Sequence, residues 1–138
     1  MIDYDKLGKA LGHLKAQYDN YLTLDSRQPQ LIQEAVAESV IQRFETCYDC
    51  LWKTLRRHLV EEQGLHDVPT APKPLARLAH ENNLLPTGIA PWMAYIEARI
   101  GTAHDYSGEK AQVALQLLDA FIRDAAGLYA TMRGEGGQ

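Results

Sequence analysis

The chain has 138 residues, of which 46% are hydrophobic and 23% charged, and its formal net charge is −4. This composition is typical of one globular domain. The acidic balance argues against broad, sequence-independent nucleic-acid binding, which needs a basic surface. No apolar stretch approaches the roughly 18–20 residues that span a bilayer, and the N-terminus does not resemble a signal peptide. We therefore expect a cytoplasmic protein without a membrane contact.

The two cysteines, Cys47 and Cys50, lie three residues apart in a strongly helical pattern. Without a second pair of Cys or His residues they cannot complete a tetrahedral zinc site. We interpret them as core or boundary residues in a reducing compartment, and we predict neither a metal nor a cofactor.

Apolar residues at spacings of three and four predict the first two helices. The first helix should end near Leu24, and the second should run from about Pro29 to Glu62 and stop at Gly64. The stripe of the first helix comprises Tyr4, Leu7, Leu11, Leu14, Tyr18 and Tyr21. The broad apolar face of the second begins with Leu31, Ile32, Ala35 and Val36 and continues to Leu59.

The rest of the chain predicts shorter helices followed by a long one. We first expect a connector at His66–Pro74 and a short helix at Ala71–Asn83, whose start overlaps the connector. A break at Leu84–Gly88 should follow. The next helix should run from about Ile89 to Ile100, with Ile100 facing inward. Ser107 is a candidate N-cap for the last helix, and residues 133–138 should form a disordered tail. No strand-like alternation occurs, so residues 1–132 predict a single all-α, antiparallel up-and-down bundle of four to five helices.

One segment has the residue types of a catalytic site. Arg99, His104 and Tyr106 form an Arg-x4-His-x-Tyr pattern. Arginine can bind a phosphate with two donors, and histidine can exchange a proton near neutrality. These two groups suffice for metal-independent RNA cleavage through the ribose 2′-hydroxyl, and the tyrosine could bind phosphate or be modified.

The spacing of this motif constrains the local structure. On an unbroken helix Arg99 and His104 would lie about 140° apart, so we expect the chain to leave the helix near Gly101 and turn His104 back toward Arg99. A purely structural reading stays open, in which Arg99 pairs with a surface acid, His104 caps a helix and Tyr106 packs in the core.

Two sequence blocks together resemble a known family. The motif before the last helix is similar to that of the HEPN superfamily. The segment Val40–Leu55, with its Arg-Phe-Glu and Trp-Lys pairs, resembles the long helix of bacterial nucleotidyltransferase substrate-binding subunits, or HepT-like toxins. Trp92-Met93 also fits, and the likeness extends over most of residues 1–132.

The resemblance implies a HEPN-like helical homodimer that acts as a ribonuclease toxin. Its antitoxin would be a minimal nucleotidyltransferase. By the same resemblance, Arg99 and His104 would be catalytic in a composite RNA-cleaving cleft between two protomers, and Tyr106 would accept AMP. Added AMP would exclude RNA by its bulk and its negative charge.

One position departs from the family's pattern. A polar residue, commonly Asn, usually follows the motif arginine, whereas this chain has Ile100. The loss of this hydrogen-bonding group favours the alternative function, a non-catalytic substrate-binding subunit of a two-component nucleotidyltransferase.

Charged residues on the second helix offer further candidates. Lys53, Arg56 and Arg57, beside His58, are candidate RNA or partner contacts, although cations near a helix C-terminus are favourable in themselves. Glu45 and Asp49 lie four apart on one face, and we expect this face to be solvated, with a cation or a basic partner as the alternative.

Overall fold

The computed structural model describes residues 2–104 and 108–134. This part of the chain contains five α-helices and no strand, which confirms the all-α prediction. None of these helices is long and apolar enough to cross a membrane. The helices are α1 (Asp5–Thr23), α2 (Gln30–Arg57), α3 (Pro72–Glu81), α4 (Ala90–His104) and α5 (Glu109–Met132).

The three long helices form the body of an up-and-down bundle. α1 packs along α2, and α5 contacts both of them. α4 packs along α5, while the short α3 lies against α2 and α4. The connection between α1 and α2 is short, so these two helices run antiparallel. The predicted order of two long helices, a shorter pair and a last long helix is therefore confirmed.

The core contains a run of aromatic rings that joins α2, α4 and α5. Phe44 meets Phe121 edge to face with centroids 5.0 Å apart, and Trp92 meets Tyr95 in the same way at 5.2 Å. Trp52 of α2 lies 5.8 Å from Trp92 of α4. Edge-to-face pairs add to the free energy gained by burial, so this cluster fixes α4, which carries the motif, against α2.

The boundaries of α1 and α2 follow the sequence pattern closely. In α1 the predicted stripe is buried from Leu7 to Tyr18. α2 is followed directly by a five-residue π-helical turn, His58–Glu62, and Gly64 then adopts a φ of 65°, which glycine takes without strain. The predicted end of the long helix is therefore correct, but its last turn is wider than an α-helical turn.

Two predictions about buried faces are wrong. Leu31, Ile32 and Ala35 are exposed, so the start of this apolar face lies outside the core. Ile100 is also exposed, although the spacing along α4 predicted it inward. An apolar period marks which residues share a face, but only the neighbouring helices decide which part of the face is covered.

The predicted break at Gly101 is also wrong, because α4 continues through this residue to His104. A Cβ at position 101 would lie 3.3 Å from Cβ of Lys110. The glycine therefore allows α4 and α5 to approach closely instead of ending α4. The predicted N-cap, Ser107, lies outside the described residues, and α5 begins at Glu109.

Candidate functional site

The motif residues Arg99 and His104 lie along one groove, which we call the motif groove. It has a volume of about 700 Å³ and runs between α4, the middle of α2 and the start of α3. It is lined by Tyr48 and Asp49 of α2, Ala71–Pro74, and Ile96, Arg99, Ile100, Ala103 and His104 of α4. Its walls are mainly apolar, and the charged groups lie among them.

The unbroken helix places the two motif residues at opposite edges of this groove. Each residue of an α-helix is rotated by about 100° from the one before it, so the α4 residues that line the groove span about 140° around the helix axis. Arg99 lies at one edge and His104 at the other, with Ile96, Ala103 and Ile100 between them. A bound group could therefore contact both side chains without a break in the helix, and the predicted break is unnecessary.

Arg99 is held by two carboxylates of α2. Its Nη1 donates to Oε2 of Glu45 at 3.0 Å, and its Nη2 donates to Oδ2 of Asp49 at 3.4 Å. The side chain of Glu45 is 13% exposed, whereas that of Asp49 is 51% exposed. The alternative reading of Glu45 and Asp49 is therefore correct: they meet a cation, and it is the motif arginine.

Thr102 is a residue of this site that sequence reasoning missed. It is fully buried, and its Oγ1 lies 2.9 Å from Oε2 of Glu45 and 3.0 Å from the carbonyl oxygen of Arg99. A threonine one turn after the motif arginine was the available signal, because positions three apart share a helix face. The hydroxyl group ties the Glu45 carboxylate to α4, which orients the ion pair with Arg99.

The remaining walls set the polarity of the motif groove. Burial raises the pKa of Tyr48 to about 12, so this phenol is neutral at physiological pH. Lys73 lies at the rim and forms an ion pair with Glu97 of α4. The groove therefore combines an apolar floor, which could accept a base or another flat ring, with cations at its edges.

The third motif residue, Tyr106, lies within residues 105–107, outside the described part of the chain. Its role as modification acceptor stays a prediction. Residues 135–138 of the expected tail also lie outside, while Arg133 stacks over the ring of Tyr129 at 5.1 Å.

The basic residues at the end of α2 do not form one surface. Arg56 is half-buried, and its Nη2 donates to the carbonyl oxygen of Val68 at 3.2 Å. Arg57 forms an exposed ion pair with Glu61 at 2.9 Å. Lys53 is exposed and lies with Arg57 along a second groove, which Asp49 also lines. Only Lys53 and Arg57 are therefore placed to contact a ligand together.

Two further titratable residues, His58 and Cys47, are buried in the fold. His58 is buried and shares a hydrogen bond of 3.0 Å with the hydroxyl group of Tyr4, so it is not part of a surface cluster. Cys47 is buried, burial raises its pKa to about 12, and both cysteines are free thiols. Within residues 2–104 and 108–134 no group of three His, Cys, Asp or Glu side chains could hold a metal ion.

Comparison with known proteins places these features in a family. Residues 2–134 match the family described as nucleotidyltransferase substrate binding protein like. The chain belongs to this family. The match covers nearly the whole chain, and it confirms the resemblance to HEPN and HepT-like proteins that the two sequence blocks indicated.

Individual members of the family are similar over most of their length. A probable ribonuclease HepT of Haemophilus influenzae is 28% identical over 108 residues, which cover 77% of this chain and 73% of the relative. A protein of known crystal structure from Thermus thermophilus is 27% identical, with a TM-score of 0.75 over 92% of this chain and 98% of that protein.

A second solved structure confirms the fold. It is a Haemophilus influenzae protein described as having the fold of a substrate-binding domain of a nucleotidyltransferase. It is 24% identical and superposes with a TM-score of 0.84 over 95% of this chain and 99% of its own. The helical bundle of this family member is thus shared with experimentally determined structures.

Proposed function

We propose that this protein is a metal-independent endoribonuclease, the toxin of a HEPN and minimal-nucleotidyltransferase pair. The observation that carries the proposal is the motif groove, where Arg99 and His104 lie at opposite edges of one face of α4. The relative that is named a probable ribonuclease HepT supports the same activity. The free thiols of both cysteines agree with a cytoplasmic location.

The residues supply the two functions that the reaction needs. The ribose 2′-oxygen attacks the adjacent phosphorus as it loses its proton, and the bond from phosphorus to the 5′-oxygen breaks as that oxygen gains a proton. His104 would carry one of these protons. Arg99 would stabilise the charge that develops on the phosphate oxygens. The products are a 2′,3′-cyclic phosphate and a 5′-hydroxyl end.

A homodimer would complete this site. Apolar side chains of α4 and α5 form an exposed surface, the α4–α5 patch, which includes Ile100, Val113 and Leu117. Ile100 and Val113 are 48% and 50% exposed, and Ile100 also lines the motif groove. A two-fold interface uses the same patch on both copies, so it would bring the two motif grooves together. Each copy could then supply one histidine to the same phosphate.

The partner in the cell would be a nucleotidyltransferase. The family description and the second solved structure both name this class of enzyme, in each case for the substrate-binding component. We propose that this partner neutralises the toxin by transferring AMP to Tyr106, which lies two residues beyond His104. Added negative charge there would repel RNA from the motif groove.

The ribonuclease proposal is tested with purified protein and RNA in a chelating buffer. We expect cleavage that ends in 2′,3′-cyclic phosphates and that is lost in Arg99→Ala and in His104→Ala. Arg77→Ala and His80→Ala are matched controls, because both residues are exposed on α3 and lie outside the motif groove. Cleavage that survives both motif substitutions, or that is absent from the wild type, contradicts the proposal.

The adenylylation proposal is tested by co-expression with a nucleotidyltransferase encoded beside this protein. Mass spectrometry should find added AMP on Tyr106 and none on the Tyr106→Phe variant. A stable complex with an unmodified tyrosine would favour simple binding.

One observation favours the alternative, a non-catalytic substrate-binding subunit. Ile100 lies between Arg99 and His104 on the groove face and offers no hydrogen bond there. In that case the protein would bind a nucleotidyltransferase without cutting RNA. The Ile100→Asn variant distinguishes the ribonuclease from the non-catalytic subunit. If the variant gains RNA cleavage, the protein lacks only the hydrogen-bonding side chain at position 100.

A further inference from the structure

The two carboxylates that hold Arg99 differ in burial and in geometry. Oε2 of Glu45 lies 3.0 Å from Nη1 of Arg99 and also contacts the hydroxyl group of the buried Thr102. Oδ2 of Asp49 lies 3.4 Å from Nη2, and the Asp49 side chain is half exposed at the wall of the motif groove. Glu45 is therefore the fixed partner and Asp49 the exchangeable one.

A phosphate in the motif groove would compete with Asp49. Guanidinium nitrogens bind carboxylate and phosphate oxygens with the same geometry. Nη1 of Arg99 contacts Glu45, the less exposed of the two acids, so Nη2 is the terminal nitrogen at the more exposed end of the pair. A phosphate that binds there competes with the Asp49 carboxylate, because two anions next to one donor nitrogen repel each other.

We propose that Asp49 is a built-in competitor for the phosphate position of Arg99, and that a phosphodiester of RNA displaces it when the strand binds. Glu45 is a positioning residue in this arrangement, since it holds the guanidinium while Asp49 moves away. The inference rests on the proposed assignment of Arg99 to phosphate binding. It gives the acidic pair of α2 a function that the catalytic motif alone does not explain.

The structure offers Asp49 a place to move. Asp49 lines the second groove as well as the motif groove, and Lys6, Lys53 and Arg57 lie along that second groove. Lys53 follows Asp49 by four residues on α2, and an acid placed four residues before a lysine is a favourable helical pair. The displaced carboxylate would therefore exchange one cation for another rather than become unpaired.

This competition would affect different ligands unequally. A free phosphate has to displace Asp49 with one set of contacts. An RNA strand would make further contacts along the apolar floor and the rim, while the free energy needed to displace Asp49 would be the same as for free phosphate. The intramolecular carboxylate would thus select against small anions and in favour of a polynucleotide.

The test measures binding rather than cleavage. The probe is a fluorescently labelled, single-stranded 12-nucleotide RNA with 2′-O-methyl riboses, which cannot be cut through the 2′-oxygen. We expect Asp49→Asn to lower the dissociation constant by about two- to fivefold, the range that an exposed ion pair supports. Glu38→Gln is the matched control, because it removes the same charge from an exposed position on α2, about 16 Å along the axis; it should leave the dissociation constant within error.

A double-mutant cycle shows whether the effect acts through Arg99. In an Arg99→Ala background, Asp49→Asn should no longer tighten binding. Titration with inorganic phosphate, followed by the NMR signal of the Arg99 Nε–H group, gives a second readout if RNA binding falls below detection. Asp49→Asn should shift this signal at a lower phosphate concentration than the wild type requires.

The outcomes separate this inference from the proposed function. If RNA is not cleaved but Asp49→Asn strengthens binding only when Arg99 is present, the competitor role stands and the ribonuclease proposal fails. If cleavage depends on Arg99 and His104 but Asp49→Asn changes neither RNA nor phosphate binding, the competitor role is overturned. Equal tightening by Glu38→Gln would also overturn it, since the cause would then be net charge.

Discussion

At the scale of single residues, Arg99 has a structural contact and a proposed chemical role. It joins α4 to α2 through Glu45 and Asp49, and it is also the candidate phosphate ligand. A partly buried cation needs nearby anions, so the fold requires some carboxylate here in any case. The two carboxylates differ in burial, so the ion pair with Asp49 is more open to solvent than the ion pair with Glu45.

The uneven burial predicts different effects on stability. We expect Glu45→Gln to lower the free energy of unfolding by about 1–3 kcal/mol, because hydrogen bonds to a buried charge are strong and the Arg99 charge would lose its fixed partner. Asp49→Asn, a matched change at an exposed pair, should cost less than about 1 kcal/mol. Urea unfolding of both variants measures the difference, and equal losses would contradict the assignment of Glu45 as the fixed partner.

His58 predicts a pH dependence of stability. Burial lowers its pKa below the ordinary value of 6.5, with Glu62 acting in the opposite direction. As the pH falls through about 6.5, the unfolded chain binds a proton at this residue before the folded chain does. The contribution of His58 to the free energy of unfolding is therefore full above this value, and it decreases until the pH reaches the lowered folded pKa.

A substitution isolates this effect. His58→Asn keeps a hydrogen-bonding group near Tyr4 but does not titrate in this range. We expect the wild type to lose more free energy of unfolding than the variant between about pH 7.5 and pH 5. Chemical unfolding at both pH values gives the comparison, and parallel pH profiles for the two proteins would show that His58 does not contribute.

At the scale of helices, α4 owes its continuity to its contact with α5. Glycine lowers helix stability in isolation, and the sequence pattern therefore predicted an end at Gly101. In the folded chain this residue faces the Lys110 side chain, so the lack of a Cβ permits close packing. The helix then continues to His104 and places that residue on the motif groove.

Two glycines of the bundle test this explanation. Gly127 lies in α5 with open space where a Cβ would be added, so Gly127→Ala should raise the free energy of unfolding by about 0.5–1 kcal/mol. Gly101→Ala should not give this gain, because its new Cβ would lie 3.3 Å from Cβ of Lys110. Thermal and urea unfolding of both variants checks the prediction, which is wrong if alanine stabilises both positions equally.

At the scale of the whole molecule, the α4–α5 patch would link the proposed dimer to the candidate site. Because Ile100 belongs to both the patch and the motif groove, a partner on the patch would border the groove. An exposed apolar residue at this position offers no hydrogen bond in the groove, but it would strengthen the proposed two-fold interface.

The dimer prediction is tested at Val113, which lies in the patch and outside the motif groove. Val113→Asp should convert the proposed dimer to a monomer in light scattering at micromolar concentration, because a charge would be buried at the interface. Ile32→Asp is the control, since Ile32 is also exposed but lies at the start of α2. A wild-type monomer, or equal dissociation in both variants, would contradict the proposed interface.

The sequence alone determined the all-α class, the order of the helices and the side chains with suitable chemistry, because apolar period and residue type are local properties. Only the tertiary structure decided what these side chains contact. Glu45 and Asp49 contact Arg99 although they precede it by 54 and 50 residues in the chain. Thr102 is buried, and its hydroxyl group contacts Glu45. Such contacts depend on how α2 and α4 pack, which helix propensity does not specify. The same packing kept α4 intact at Gly101 and left Ile100 exposed.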